Sequence, residues 1–226
     1  MKTKVIFLSM LLLGAVAASQ AQIIRGGVNL ANVSINDDGD VSDAKTLTSF
    51  QLGIIGDWRL TSFLSLQPGL VFTGKGTKTQ YGDEGDANWY KATTNPYYIE
   101  VPVNLVLKTP TGPTQFFAGA GPYIAVGIAG KNKVRGSVLG SSFSTDSKIE
   151  WSDDDPTTLD FEEGAGFGVM KRFDYGLNGT LGIETSSLVL SANYGLGLAK
   201  LQSGSDSGDD NNNKHRVFSI TLGFKL

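Results

Sequence analysis

The chain has 226 residues, with 19 Lys and Arg against 22 Asp and Glu, a formal net charge of −3, one histidine and no cysteine. The missing cysteines exclude a disulfide framework, and the acidic balance argues against a nucleic-acid partner. The 29 glycines suit tight turns and curved strands better than helices.

The first 21 residues have the build of a secretory signal peptide. Lys2 and Lys4 precede an apolar core at 5–16, and Ser19-Gln20-Ala21 offers small residues for cleavage near Ala21. The apolar core is too short to span a bilayer as a helix, which takes about 20 residues. Residues 22–226 are then one domain, and losing Lys2 and Lys4 makes it more acidic. No later segment is apolar for long enough to form a membrane helix. If this domain lives in a membrane it must be a closed barrel, because only helices and closed barrels satisfy their backbone groups in lipid.

Eight segments alternate apolar and polar residues with the period of a strand. In the first, residues 22–34, Ile24, Val28 and Leu30 oppose Arg25, Asn29 and Ala31. The second, 48–60, sets Phe50, Leu52, Ile54 and Trp58 against Gln51, Asp57 and Arg59. Segments 64–73 and 97–107 follow, the latter opposing Tyr97, Ile99, Val101, Val103, Leu105 and Leu107 to a face that carries Glu100. Segment 114–129 is rich in glycine. Segment 173–184 puts Asp174 and Glu184 on its polar face, 188–199 puts Ser191 and Asn193 there, and 216–226 puts Lys225 there.

The connections alternate long and short, the habit of outer-membrane barrels with long extracellular loops and short periplasmic turns. An even strand number returns both termini to the periplasmic side, so the expected fold is an all-β, transmembrane, antiparallel up-and-down β-barrel of eight strands. The long connection 130–172 contains strand-like parts. Residues 134–142 and 148–151 are expected to form a hairpin above the membrane, and 161–170 leaves a ten-strand barrel as the alternative. Residues 203–213 read as a flexible loop tip.

All but four of the acidic residues fall in the long connections, and those four, Asp57, Glu100, Asp174 and Glu184, lie on polar faces. A soluble sandwich would scatter charge over a wet outer face. So few charges point instead to a crowded lumen, where they must be paired. The expectation is a salt-bridge network of Arg25, Asp57, Arg59, Glu100, Asp174, Glu184 and Lys225 that plugs the barrel. Trp58, Tyr97, Tyr175 and Tyr194, on apolar faces, are candidates for interfacial aromatic belts.

Several motifs resemble the PorT-like outer-membrane β-barrel family of Gram-negative bacteria, a porin-family group. They are Gly26-Gly27-Val28-Asn29-Leu30, Leu66-Gln67-Pro68-Gly69-Leu70 followed by Lys75-Gly76, and Tyr98-Ile99-Glu100-Val101-Pro102. Further on come Gly119-Ala120-Gly121-Pro122-Tyr123, Asp174-Tyr175-Gly176 and Tyr194-Gly195-Leu196-Gly197-Leu198. The resemblance implies a small outer-membrane barrel whose relatives mostly lack an assigned activity. The long 130–172 connection and the final Leu226 depart from the family pattern.

His215 is the one candidate for rim catalysis, with Asp209 and Asp210 nearby. The expected reading is a solvated loop residue, hence no enzyme, no catalytic residue and no cofactor. Asp37-Asp38-Gly39-Asp40 and Asp153-Asp154-Asp155 lack the spacing of a calcium loop. They are expected to be solvated anionic loops that can gather divalent cations against outer-membrane lipid. The leading functional expectation is a monomeric barrel with a structural or surface-interaction role. The alternatives are a narrow porin-like channel for small solutes, an outer-rim lipid-modifying enzyme, and a soluble ligand-binding barrel.

Overall fold

A computed structural model describes residues 22–34, 44–110, 112–152, 169–201 and 214–226. The first half contributes β1 (Gln22–Ser34), β2 (Ala44–Lys45), β3 (Leu47–Gly56), β4 (Trp58–Arg59), β5 (Leu64–Gly74), β6 (Thr77–Tyr81) and β7 (Trp89–Lys108). The second half contributes β8 (Gln115–Val138), β9 (Ser141–Lys148), β10 (Glu150–Trp151), β11 (Val169–Met170), β12 (Phe173–Glu184), β13 (Leu188–Gly197) and β14 (Lys214–Lys225).

Eight of these strands form the wall among the described residues. Each pairs antiparallel with the next, in the order β1, β3, β5, β7, β8, β12, β13 and β14, and β14 pairs back onto β1. Closure leaves the wall no open edge, which is what the hydrocarbon interior requires. The register runs from Ile23 across Ile55, Gly69, Pro102, Tyr123, Gly176, Gly197 and His215, and returns to β1 at Val33 rather than Ile23. That stagger tilts the strands against the barrel axis.

Three connections are short, and each is closed by a threonine hydroxyl that accepts a backbone N–H. Thr61 takes the N–H of Leu64 at 3.1 Å, Thr109 that of Phe116 at 3.0 Å, and Thr185 that of Leu188 at 3.0 Å. Such side-chain turns give the chain a stop that needs no loop. Leu226 donates to Gln22 at 2.8 Å, so both ends of the wall meet on this rim.

The outward positions form a continuous apolar belt. Leu52, Ile54, Leu105, Leu177, Ile220 and Leu222 are each 41–57 % exposed. Apolar exposure on that scale is foreign to a water-soluble monomer and natural to a surface wetted by lipid. Phe50, Phe72 and Tyr97 cluster on it, with ring centroids 5.4–6.1 Å apart.

Above the opposite rim the wall rises unevenly. β7 has 20 residues and β8 has 24, against the 9–11 or so that cross a bilayer. Their upper halves pair with each other and with β6 and β9, making a sheet that continues the wall upward. The strand expected to end at 129 thus runs on to Val138. The hairpin expected to pair 134–142 with 148–151 is corrected: the chain turns inside 134–142, so β8 pairs with β9 at 141–148 and Glu150–Trp151 falls outside the hairpin. Leu139 and Gly140 form its two-residue turn with φ of 51° and 79°, the positive-φ pair that matches the strand twist. Of the strand-like 161–170, only Val169 and Met170 are described, and they pair parallel with Glu150 and Trp151 in a separate two-stranded sheet.

Candidate functional site

The inward positions carry most of the buried polar side chains, and the ionised ones gather in two clusters. The first lies near the short-turn rim. Lys108 closes β7, and its ammonium reaches Asp57 at 2.7 Å and Glu184 at 3.0 Å, all three side chains at most 4 % exposed. Lys225 adds a second cation 3.1 Å from Glu184, and Gln67 donates to the other Asp57 oxygen at 3.1 Å. Two carboxylates face two ammoniums, so charge balances where water is scarce.

The second cluster centres on Lys75, just past the end of β5. Its ammonium sits 2.6 Å from Glu100, 2.9 Å from Asp174 and 3.9 Å from the centroid of the Tyr123 ring. Tyr123 donates its hydroxyl to Asp174 at 3.1 Å, and Asn178 donates to Glu100 at 3.0 Å. One lysine therefore serves two carboxylates, and Arg25 lines the same cavity as Lys75 and Glu100. Cavities of about 30 and 20 Å³ lie against Arg25. Each has room for a water or two, and the unpartnered Nε of Arg25 and Oδ1 of Asn104 would welcome one.

A third layer is apolar. Trp151 comes back from the long connection into the barrel mouth, where it meets Tyr98 edge-on at 5.5 Å between ring centroids. A Cβ added to Gly127 would stand 2.3 Å from the Trp151 ring, so glycine there is what admits the indole. Val33, Ile149, Met170 and Leu201 complete this cap.

Of the residues expected in the lumen network, Asp57, Glu184 and Lys225 meet in the first cluster, and Glu100 and Asp174 in the second with Arg25 beside them. Arg59 does not join them and must be corrected. It is exposed, because the strand breaks at Asp57 and β4 leaves the wall's alternation at the rim. His215 needs the opposite correction. It is 1 % exposed rather than solvated, and its ring stands edge-on to Tyr98 with Nε2 3.3 Å from the hydroxyl. β14 begins two residues earlier than the alternation suggested, which places His215 on the inward parity with Val217 and Ser219.

Lys75 and Lys108, the hubs of both clusters, are absent from the expected set. Both continue the polar parity of their strands, Lys75 after Thr73 and Lys108 after Val106. Each lies just beyond the segment ends read from the sequence. The signal was there, two residues past the end of segment 64–73 and one past the end of 97–107. The acidic stretches Asp37-Asp38-Gly39-Asp40 and Asp153-Asp154-Asp155, with Asp209 and Asp210, lie outside the described residues. Among the described residues no group of three His, Cys, Asp or Glu could hold a metal ion. On the protruding sheet, the hydrogen bond and charge of Lys91 hold the exposed carboxyl of Glu84 below the usual carboxylate range.

A family model described as "Outer membrane protein beta-barrel domain" matches residues 20–203. The chain belongs to that family. It is an outer-membrane β-barrel protein. No curated protein matched it. Among solved structures it is similar to the attachment invasion locus protein Ail of Yersinia pestis, at 14 % identity over 92 % of this chain and 99 % of that one, with a TM-score of 0.40. The outer membrane protein OprG of Pseudomonas aeruginosa matches at 13 % identity over 92 % and 96 % of the two chains, TM-score 0.42. Neisserial surface protein A matches at 13 % identity over 92 % and 99 %, TM-score 0.40.

Proposed function

We propose that this protein is a monomeric, non-conducting and non-catalytic barrel whose task is to hold its extracellular sheet above the membrane as a contact surface. The observation that carries this reading is the filling of the lumen. An apolar cap and two ion clusters lie in series, and the two cavities against Arg25, of about 30 and 20 Å³, have room for a water or two. A porin-like path for solutes needs a continuous wet bore, and eight strands leave an interior just wide enough for side chains to fill. The long upper halves of β7 and β8, held by β6 and β9, support the display role. About ten residues beyond the bilayer at roughly 3.3 Å each would lift the sheet some 30 Å. His215 bound to Tyr98 inside the wall is a poor triad member, since acyl transfer needs a histidine open to substrate.

The same proposal includes export. Residues 1–21 are removed near Ala21, the long connections face outward, and the acidic stretches gather divalent cations at the cell surface. The motifs around Gly26, Glu100 and Tyr123 favour the PorT-like branch of porin-family barrels. Planar-bilayer recording tests the central claim. Purified barrel that migrates faster unboiled than boiled should insert without unitary current steps. Reproducible steps from the folded wild-type protein would make the channel reading the right one.

A further inference from the structure

The apolar belt gives way upward to a basic face. On β7 the outward positions Ile99 and Tyr97 continue into Asn95, Thr93 and Lys91, which alternate with buried Pro96, Thr94 and Ala92. On β8 a bulge inserts Ile128, so that Tyr98 pairs with Gly127 but Tyr97 with Ala129. The extra residue inverts the alternation of the rest of the strand. Lys131, Lys133 and Arg135 consequently turn outward, with Asn132, Val134 and Gly136 buried between them.

The register gathers these cations. Lys91 lies opposite Arg135, Thr93 opposite Lys133 and Asn95 opposite Lys131. β9 adds Lys148 opposite Lys131, and β6 adds Lys78 opposite Thr93. Against them stand Asp146, 3.2 Å from Lys133, Glu84, 2.5 Å from Lys91, and the exposed Glu150 two residues past Lys148. Lys78, Lys131, Arg135 and Lys148 make no ion pair among the described residues. Such a concentration is foreign to a chain whose formal net charge is −3.

We infer that this outward face of β6, β7, β8 and β9 binds the phosphate-bearing headgroups of lipids in the surrounding outer leaflet. Three features select lipid as the occupant. The face is continuous with the lipid-wetted belt on the same side of the same two strands. Lys131 stands two residues, about 7 Å, above Ala129, the partner of Tyr97 on the apolar belt. The charge is complementary, since clustered Lys and Arg at a membrane surface attract anionic headgroups. This contact is direct and differs from cation bridging by the acidic loops. It is also independent of whether the lumen conducts.

Native mass spectrometry of the full barrel, released from zwitterionic detergent micelles in EDTA, would count retained lipid. The probes are a diphosphorylated lipid A and the same lipid without its phosphates. The wild type should retain the phosphorylated form roughly tenfold better. The variant K78Q/K131Q/R135Q/K148Q, checked for the unboiled gel shift, should lose that preference. Equal retention of both lipids by the wild type overturns the proposal, whatever the variant does. An unchanged preference in a folded variant overturns it too, as does a preference seen only when magnesium replaces EDTA, which assigns the contact to the acidic loops. Heparin binding by the wild type, with the two lipids retained equally, reassigns the face to soluble polyanions.

Discussion

Lys75 is the residue on which the lumen's charge balance turns. Among the described residues it is the one cation in direct contact with both Glu100 and Asp174, and all three are enclosed by wall strands. Removing it leaves two carboxylates facing each other without a cation between them, and breaking a buried pair by deleting one partner costs about 3–5 kcal/mol. Glu100→Gln is milder, because Lys75 keeps Asp174 and the new amide can still accept from Asn178. That loss should resemble a hydrogen bond to a charged group, about 1.5–3 kcal/mol. Urea titration of folding in lipid vesicles should therefore rank Lys75→Met below Glu100→Gln and both below wild type; the reverse order would mean that Lys75 does not hold the cluster. Glu100 itself was legible in the sequence, since a lone carboxylate on the polar parity of an apolar strand has to go inward. Lys75 was not, because Pro68-Gly69 and Gly74 blur where that strand ends. His215 escaped for a related reason: a run of asparagines ahead of it looks like loop, although the inward parity of Val217, Ser219 and Thr221 extends straight back to it.

At the level of the element, the bulge at Ile128 decides which surface the protein shows. Strict alternation continued from Tyr123, Ala125 and Gly127 would send Lys131, Lys133 and Arg135 inward, above the lumen. The inserted residue sends them outward instead and turns Asn132 and Val134 in. Cysteine substitution reads this directly. In intact cells Lys133→Cys should react with a charged, membrane-impermeant maleimide and Val134→Cys should be protected. The opposite pattern would show that the alternation is unbroken and that the basic face does not exist. Nothing in Ala125–Gly130 announces a bulge. It follows from pairing with β7, a contact between segments whose register no single strand encodes, and for that reason the sequence yielded the barrel wall but not its extension. The length of β8 was hidden in the same way: glycine at 127, 130 and 136 reads as loop until a neighbouring strand pairs with it.

For the whole molecule, the proposed function makes the lumen's layers seals in series, and a series path is only as open as its tightest point. Trp151 and its apolar neighbours stand at the mouth, the Lys75 cluster in the middle, and the Lys108 cluster at the short-turn end. Their side chains come from different parts of the chain, so losing one does not remove the others. Trp151→Ser should thus leave the barrel silent in planar bilayers, while the same substitution makes a cysteine placed at Tyr98 reachable by a small neutral thiol reagent from the extracellular side. Trp151→Ser combined with Lys75→Met should lower stability further and still show no current steps, because Lys108 remains bound to Asp57 and Glu184. Steps from Trp151→Ser alone would mean that the ion clusters do not block the bore, and the display reading would give way to a gated channel with the indole as its gate.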